Sequence, residues 1–531
     1  MPIKHEPVDV VVIGAGMGGA AFCYGLSAQA PQLRITCLER GDWLYPAQMP
    51  ATRRDFQQLA LTTWALAPAV RAQWTPASPE PALSADYGVD DRLSAIKPLM
   101  WCGVGGSSLT WAAHFPRLHP SDFKTQTLDG VGDDWPFSYF DLEPYYDQND
   151  LMMGVSGLAG DPAYPPKRAP RLPPLPIGRM GEKAAQGFNR LGWHWWPVDA
   201  AINSTPYAGR PGCNYCGPCQ QGCVSHAKAS VDQTYWPHAL RQGVELRTRC
   251  VTQEIVVQAG RATGVRYRAA DGQEHLQPAA YVVVAANGIG TPRLLIASGV
   301  GGDLVGRCLM FHPVAYIRAI CTEEMDGPAG PIGCALYSHE FYETDGQRGF
   351  VRGFQLQVTR ENPLLTQSTY AEPRWGQAGQ AQLREEFRHS FRLMVMAEDL
   401  PEVDNRVTLG DQVDADGLPQ AKLEYQISEN SRRMLDYGLE RAQEVLQAAG
   451  VARMVTTAYA PLTGWHLLGT ARMGRNPRTS VTDAQGRCHT TPNVIVADGS
   501  LMPTVGAVNP GSTIGALALK IADDLAREVG P

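Results

Sequence analysis

His466 lies in "WHLLGTARMG" (465–474) and Asn509 in "VIVADGSLMPTVGAVNPGSTIGALALKIAD" (494–523), 43 residues apart. A histidine paired with an amide donor can take a proton from an alcohol and hold the resulting alkoxide. A strand and a helix start between the two residues could bring them together. Gly464 and Gly469 flank the histidine, and Pro510, Gly511, Ser512 and Thr513 follow the asparagine as a helix-start signature. Each residue also has an ordinary reading: a hydrogen-bonded core histidine and a simple helix cap.

The other end of the chain holds the partner for that chemistry. In "VDVVVIGAGMGGA" (8–20), Gly14, Gly16 and Gly19 form G-x-G-x-x-G directly after an apolar run. The first glycine permits a tight turn, the second lets backbone approach a pyrophosphate, and the third lets the helix pack on the sheet. Glu39 follows Gly14 by 25 residues, where a ribose-binding acid belongs. An acid there argues against a 2′-phosphate but does not separate FAD from NAD. A second glycine-rich turn, "CGVGGSSLTWAAHFPRL" (102–118), holds Gly105, Gly106 and Ser107 and could close over the same pyrophosphate or the flavin edge. Nucleotide site and acid–base pair together suggest a flavin-dependent alcohol oxidoreductase.

Four of the twelve cysteines fall in "CNYCGPCQQGC": Cys213, Cys216, Cys219 and Cys223, spaced C-x2-C-x2-C-x3-C. That spacing puts four thiolates around one centre, as in the cluster loops of bacterial ferredoxins, although Val224 replaces the usual proline. The expectation is an iron–sulfur cluster (3Fe-4S or 4Fe-4S), with structural zinc or disulfides as alternatives. The other eight cysteines are scattered and read as reduced, buried thiols.

The elements that must position these groups read as an α/β chain. "LRITCLERG" (33–41) completes an opening βαβ unit, and "AAYVVVAANGIGTPRLLIASGVGG" (279–302) and residues 494–523 repeat the strand–turn–helix pattern. The expected fold is a doubly wound, Rossmann-like FAD-binding domain from separated segments (1–158, 226–310 and 460–531). An α+β substrate domain (159–225 and 311–459) would carry the Cys loop. In that insert, "RGFQLQVTR" (352–360), "FRLMVMAEDL" (391–400) and "AKLEYQISE" (421–429) alternate with period two, which predicts an antiparallel sheet with one covered face. Leu435, Leu439, Ala442, Leu446 and Ala449 predict a helix over 431–449, closed by Gly450. The Pro-rich 160–176 reads as a crossing loop, and Trp193, His194, Trp195 and Trp196 as a buried aromatic strand rather than a sugar platform.

At 531 residues the chain is long enough for two or more domains, and its net charge of −7 with no basic run argues against nucleic acid as a partner. The mild acidity would suit a basic redox partner. No stretch reaches the ~20 apolar residues of a membrane span; "LALTTWALAPAV" (59–70) comes nearest and reads as a buried helix. With no signal peptide ahead of the first strand, the expected compartment is the cytoplasm, or the periplasm if the chain is co-exported with a partner subunit.

Taken with "GVGGSS", "NGIGTPRLLIASGVG", "VGRCLMFHP" (305–313), "HLLGTARMG" and "DGSLMPTVGAVNP", the chain resembles the GMC (glucose–methanol–choline) oxidoreductase family over nearly its full length. Asn287-Gly288 departs from the small-residue pair of many members. "GGSSLTWAAHFPRLHPSDFK" and "DDWPFSYFDLEPYYDQNDLMMGV" are similar to the large subunits of bacterial sugar and polyol dehydrogenases. The resemblance implies that His466 is the catalytic histidine, that Asn509 is its partner, and that Asp498 and Gly499 lie on the flavin side. It also implies FAD, a cluster, a small accessory subunit and a cytochrome c-type or quinone acceptor. Leu109, Thr110 and Trp111 follow "GGSS" where some members carry a flavin-linking histidine, so the FAD is expected to be non-covalent. The implied reaction is oxidation of a sugar, glycoside or polyol hydroxyl. The alternatives are an oxygen-using oxidase of lipophilic or aromatic alcohols and a redox-neutral lyase with structural FAD.

Overall fold

A computed structural model describes residues 2–49, 87–168, 171–326, 330–331, 333–360, 376–414 and 416–530. The apolar segment 59–70 lies outside the described residues. The apolar run Val8–Ile13 forms a central strand, buried as expected of a strand covered on both faces. It runs parallel to Ile35–Leu38 on one side and to Glu274–Val284 on the other. Glu245–Arg247 extends the sheet beyond Ile35–Leu38, and Thr491–Val496 extends it beyond Glu274–Val284, both in parallel. A strand from the C-terminal end thus lies next but one to the first nucleotide-binding strand. This is the doubly wound α/β sheet expected from the three strand–turn–helix units. Helices Met17–Gln29 and Gly511–Val529 pack on each other, with Gly25 set against Leu519 and Ala522. Chain entry and chain exit are tied together under the sheet.

The insert builds a six-stranded sheet in the order Arg453–Thr457, Val314–Ile320, Ser390–Ala397, Phe354–Arg360, Cys334–Ser338, Trp196–Pro197. The pairings described within it are antiparallel. Helix Glu429–Ala448 covers one face through Met434, Leu435, Ala442, Val445 and Leu446, which share a core with Leu356, Val358, Leu393 and Val395. Leu439 packs against the margin of that core, and closest to the sheet is the buried Gly438. A side chain there would meet Val395, so the helix lies closer to the sheet than the leucine periodicity implies.

One expectation needs correction. The alternating run at 421–429 does not join this sheet: Pro419–Tyr425 pairs with Arg406–Val413 and, in parallel, with Val89–Ser94. Its buried partners, Ile96, Phe311 and Val407, form a separate small core. The eight scattered cysteines are buried and, among the described residues, form no disulfide. Trp193 and Trp195 pack against the core under the six-stranded sheet, and Trp196 forms its edge.

Candidate active site

The two glycine turns face each other. Gly14 has φ +101°, and a Cβ there would come within 2.4 Å of the Ala285 carbonyl oxygen. Gly106 has φ +53°, and a Cβ there would lie 2.9 Å from the Cα of Gly16. Both positions therefore require glycine. The Gly105 N–H donates to the Ala15 carbonyl (3.0 Å), pinning the second turn to the first. Gly19 sits with its Cα against the Gly14 carbonyl, and the exposed Ser107 hydroxyl accepts from the Trp101 N–H. No side chain caps the helix that starts after Gly16. Its first N–H groups are thus directed at the space between the turns, a donor set suited to a pyrophosphate.

Glu39 ends the second strand and is buried. Its carboxylate accepts from Ala15 N–H and Gly41 N–H, each at 2.8 Å. Burial pushes its carboxyl up, and those backbone donors pull it back. Asp498 accepts from the backbone N–H groups of Asn287 and Ser500, each at 2.9 Å, and from the Thr291 hydroxyl at 2.5 Å. This bond set explains the unusual Asn287: it takes a left-handed φ of +68°, which asparagine tolerates, and its side chain caps Ile289 and Gly290. Gly499 opens the short turn after Asp498 and packs on Leu468.

The acid–base pair is assembled from three chain segments. Met310 and Leu468 exchange backbone hydrogen bonds in an antiparallel bridge, which sets residue 312 opposite residue 466. His466 Nδ1 lies 2.9 Å from His312 Nδ1, and His312 Nε2 lies 2.8 Å from the Gly506 carbonyl oxygen. A carbonyl only accepts, so His312 carries its proton on Nε2 and offers a lone pair at Nδ1. His466 must then carry its proton on Nδ1, which leaves Nε2 as the free base nitrogen. Burial lowers both histidines, His312 to about 4 and His466 well below its ordinary value, with His312 and His114 pushing His466 further down. Both rings are neutral near pH 7.

Asn509 completes the pair. Its Nδ2 lies 3.3 Å from His466 Nε2, and its Oδ1 accepts from Gln357 Nε2 at 3.0 Å. That donor fixes the amide so that its NH2 group faces the base. Asn509 is not a helix cap; Pro510 takes that place before Gly511–Val529. The preceding loop is held by Thr504, whose hydroxyl donates to the Asp122 carbonyl, and by Ala507 N–H on the Tyr342 hydroxyl. Gln357 sits on Phe354–Arg360 beside Gln355, which accepts from Gln357 and contacts His339. Val314, Tyr316, Met396 and Ala460, with Met394 and Trp465 packed on them, form an apolar cluster next to His466.

His312, Gln357, Gln355 and His114 were not among the residues singled out from the sequence. For the glutamines a signal exists: they alternate with Phe354, Leu356 and Val358 yet are themselves buried. Both faces of that strand are covered, and the polar face must have a use.

Cys213, Cys216, Cys219 and Cys223 line one pocket with Ile202, Asn214 and Lys228. Among the described residues no three His, Cys, Asp or Glu side chains are gathered as a metal-holding group and the four cysteines form no disulfide, so the geometry lends the iron–sulfur expectation no direct support. The donor chemistry nonetheless suits a thiolate-bound group. Backbone N–H groups of Tyr215 and Lys228 donate to the sulfurs of Cys213 (3.4 Å) and Cys223 (3.3 Å). The buried Lys228 ammonium donates to the carbonyls of Ser108, Leu109 and Trp111, linking the thiol pocket to the second glycine turn.

Two family models, both described as GMC oxidoreductase, match residues 182–314 and 401–518. A 2-methyl-1,2-propanediol dehydrogenase of Mycolicibacterium austroafricanum is 39% identical over 99% of this chain and 96% of its own length. The chain belongs to the GMC oxidoreductase family. The fructose dehydrogenase large subunit of Gluconobacter japonicus is 29% identical over 98% of both chains. Among solved structures, pyridoxine 4-oxidase from Mesorbium loti shares the fold, with a TM-score of 0.67 at 17% identity over 97% of this chain and 99% of that one. This GMC protein is therefore a flavin-dependent oxidoreductase acting on alcohol groups. Among the described residues, no helix is long and apolar enough to cross a membrane.

Proposed function

We propose that the protein is a dehydrogenase that oxidises a hydroxyl of a small diol, polyol or sugar to a carbonyl. The observation that carries this reading is the free Nε2 of His466 set 3.3 Å from the Asn509 amide. His466 Nε2 takes the hydroxyl proton, and the Asn509 NH2 group donates to the developing alkoxide. His312 holds the ring in the tautomer this requires, and Gln357 holds the amide. The apolar wall of Val314, Met394, Met396 and Trp465 keeps water from competing for either group. Gly14, Gly16, Gly19, Gly105, Gly106, Ser107, Glu39, Asp498 and Gly499 would hold FAD, which when bound would supply a hydride acceptor. The diol named for the 39% identical relative favours a small polyhydroxy substrate.

Cys213, Cys216, Cys219 and Cys223 would hold an iron–sulfur cluster, which supplies one-electron transfer toward an external acceptor, a cytochrome or a quinone. Their common pocket and the Lys228 link to the second glycine turn support that assignment. We assign segments 1–158, 226–310 and 460–531 to FAD binding and 159–225 and 311–459 to substrate binding.

The test is anaerobic purification followed by absorbance, iron and acid-labile sulfide analysis, then titration with diols, polyols and sugars. Flavin bleached by one such class, and left unbleached in His466→Ala with flavin still bound, is the expected result. Iron and sulfide at background would remove the cluster from the proposal. Bleaching by the His466→Ala protein at the normal rate would remove the base.

A further inference from the structure

His114 has no role in the chemistry derived so far, yet it sits in the same site. Its ring is buried, and among the described residues neither Nδ1 nor Nε2 has a hydrogen-bonding partner. The side-chain amides of Asn509 and Gln357 lie alongside it, and its ring centroid is 5.9 Å from that of Tyr337. The Asn509 amide bonds His466 and Gln357, and the Gln357 NH2 bonds Gln355 and Asn509; both amides stand near enough to His114 to hold its proton affinity up against burial, but neither reaches a full hydrogen bond to the ring. The position of His114 is firmly set. Its segment pairs with Ala200, and the Phe115 N–H donates to the Asp199 carbonyl at 2.8 Å. Asp199 is anchored in turn by Lys167 and Arg171. A ring held this rigidly with both nitrogens idle is costly to bury unless something else satisfies it.

We propose that His114 recognises a second hydroxyl, adjacent to the one being oxidised, and so selects vicinal diols and polyols over simple alcohols. The proposal rests on the reading of His466 and Asn509 as the alcohol-oxidising pair. Burial lowers His114 to about 4, so near neutrality its ring is uncharged, with one donor and one acceptor nitrogen. A hydroxyl is the small group that can both accept and donate. Asn509 lies beside both His466 and His114, so a group that reaches His114 belongs to the same substrate whose hydroxyl His466 would deprotonate. The flavin is a poorer candidate for this contact, because Tyr337 and Gln357, which flank the ring, both come from the six-stranded sheet of the insert.

The experiment compares kcat/KM for propane-1,2-diol and propan-1-ol with an artificial electron acceptor. It uses the unmodified enzyme, His114→Phe, His114→Gln and the control His466→Ala. The unmodified enzyme should prefer the diol by about 10-fold or more, the worth of one buried hydroxyl contact. His114→Phe should lose that preference, read as the ratio of kcat/KM for the two substrates, and His114→Gln should restore part of it. Parity between the two substrates in the unmodified enzyme overturns the proposal without any variant. So does an equal loss on both substrates in His114→Phe, or loss of bound flavin. Full activity in His466→Ala would instead overturn the underlying reading of the pair, whatever the diol preference.

Discussion

The bond from His466 to His312 sets which nitrogen of the catalytic ring is free, and this can be tested by replacing His312. In His312→Leu, the His466 Nδ1–H loses its acceptor at 2.9 Å and the Gly506 carbonyl its donor at 2.8 Å. A neutral hydrogen bond of this kind contributes about 0.5–1.5 kcal/mol, and a buried carbonyl left unpaired costs about 1–3 kcal/mol. Without the first bond, His466 can place its proton on Nε2, where it faces the Asn509 donor and can no longer accept from the alcohol. A bias of about 1.4 kcal/mol corresponds to a factor of 10. We therefore expect kcat to fall about 10-fold with KM changed little, and thermal stability to fall with it. His312→Gln is the discriminating variant. Its carboxamide oxygen can accept from His466 while its NH2 donates to Gly506, so most of the activity should return. The assay is steady-state kinetics with an artificial acceptor, with the flavin absorbance checked for each variant. If His312→Leu keeps full kcat with flavin bound, the tautomer argument is wrong. If Leu and Gln lose activity equally, His312 acts by filling space.

Four other outcomes follow from the same structure. Because burial depresses His466, its neutral form persists below its ordinary value; kcat/KM should stay level as pH falls through 6.5 and drop only in more acid solution. A limb centred at 6.5 or above would contradict that. His312 and His114 are depressed to about 4, so they contribute stability present above about 6.5 and lost as pH falls from there toward 4; thermal melts across that range read it. Asp399 is raised by burial to about 7 while accepting from Phe311 N–H and Tyr425. Its contribution is present below about 4 and lost as pH rises toward 7, so Asp399→Asn should gain in melting temperature over the parent as pH rises from 5 to 8. Gly14→Ala puts a Cβ 2.4 Å from the Ala285 carbonyl oxygen at a φ of +101°; the flavin-to-protein ratio after purification should fall well below that of the parent, and a full complement would argue against the turn as the cofactor cradle.

What the sequence disclosed, and what it withheld, follows from the range of the interactions involved. The nucleotide turn was legible because a tight turn, a ribose acid and a buried strand are local demands, and Gly14, Gly16, Gly19 and Glu39 meet them within one βαβ unit. Helix Glu429–Ala448 was legible for the same reason, although the close approach of Gly438 to the sheet, beside the half-buried Leu439, shows that periodicity gives the face and not the depth of packing. His466 and Asn509 could be paired only by their residue types, since the contact between them spans segments whose pairing depends on Met310. His312 was out of reach: a histidine before a proline has no distinguishing spacing, and its role appears only once the 310–468 bridge and the Gly506 carbonyl are placed. The strand Pro419–Tyr425 was assigned to the wrong sheet because alternation marks a covered face without saying which partner covers it, and its parallel partner Val89–Ser94 lies far upstream. Gln355 and Gln357 show how such a gap can be narrowed. Polar residues that alternate with a fully apolar face would ordinarily face solvent; here they are buried, and a buried amide must be spent on a partner. In this chain the partners are Asn509 and His339, so the hydrogen bonds that satisfy the sheet's inner face are the same bonds that aim the catalytic amide.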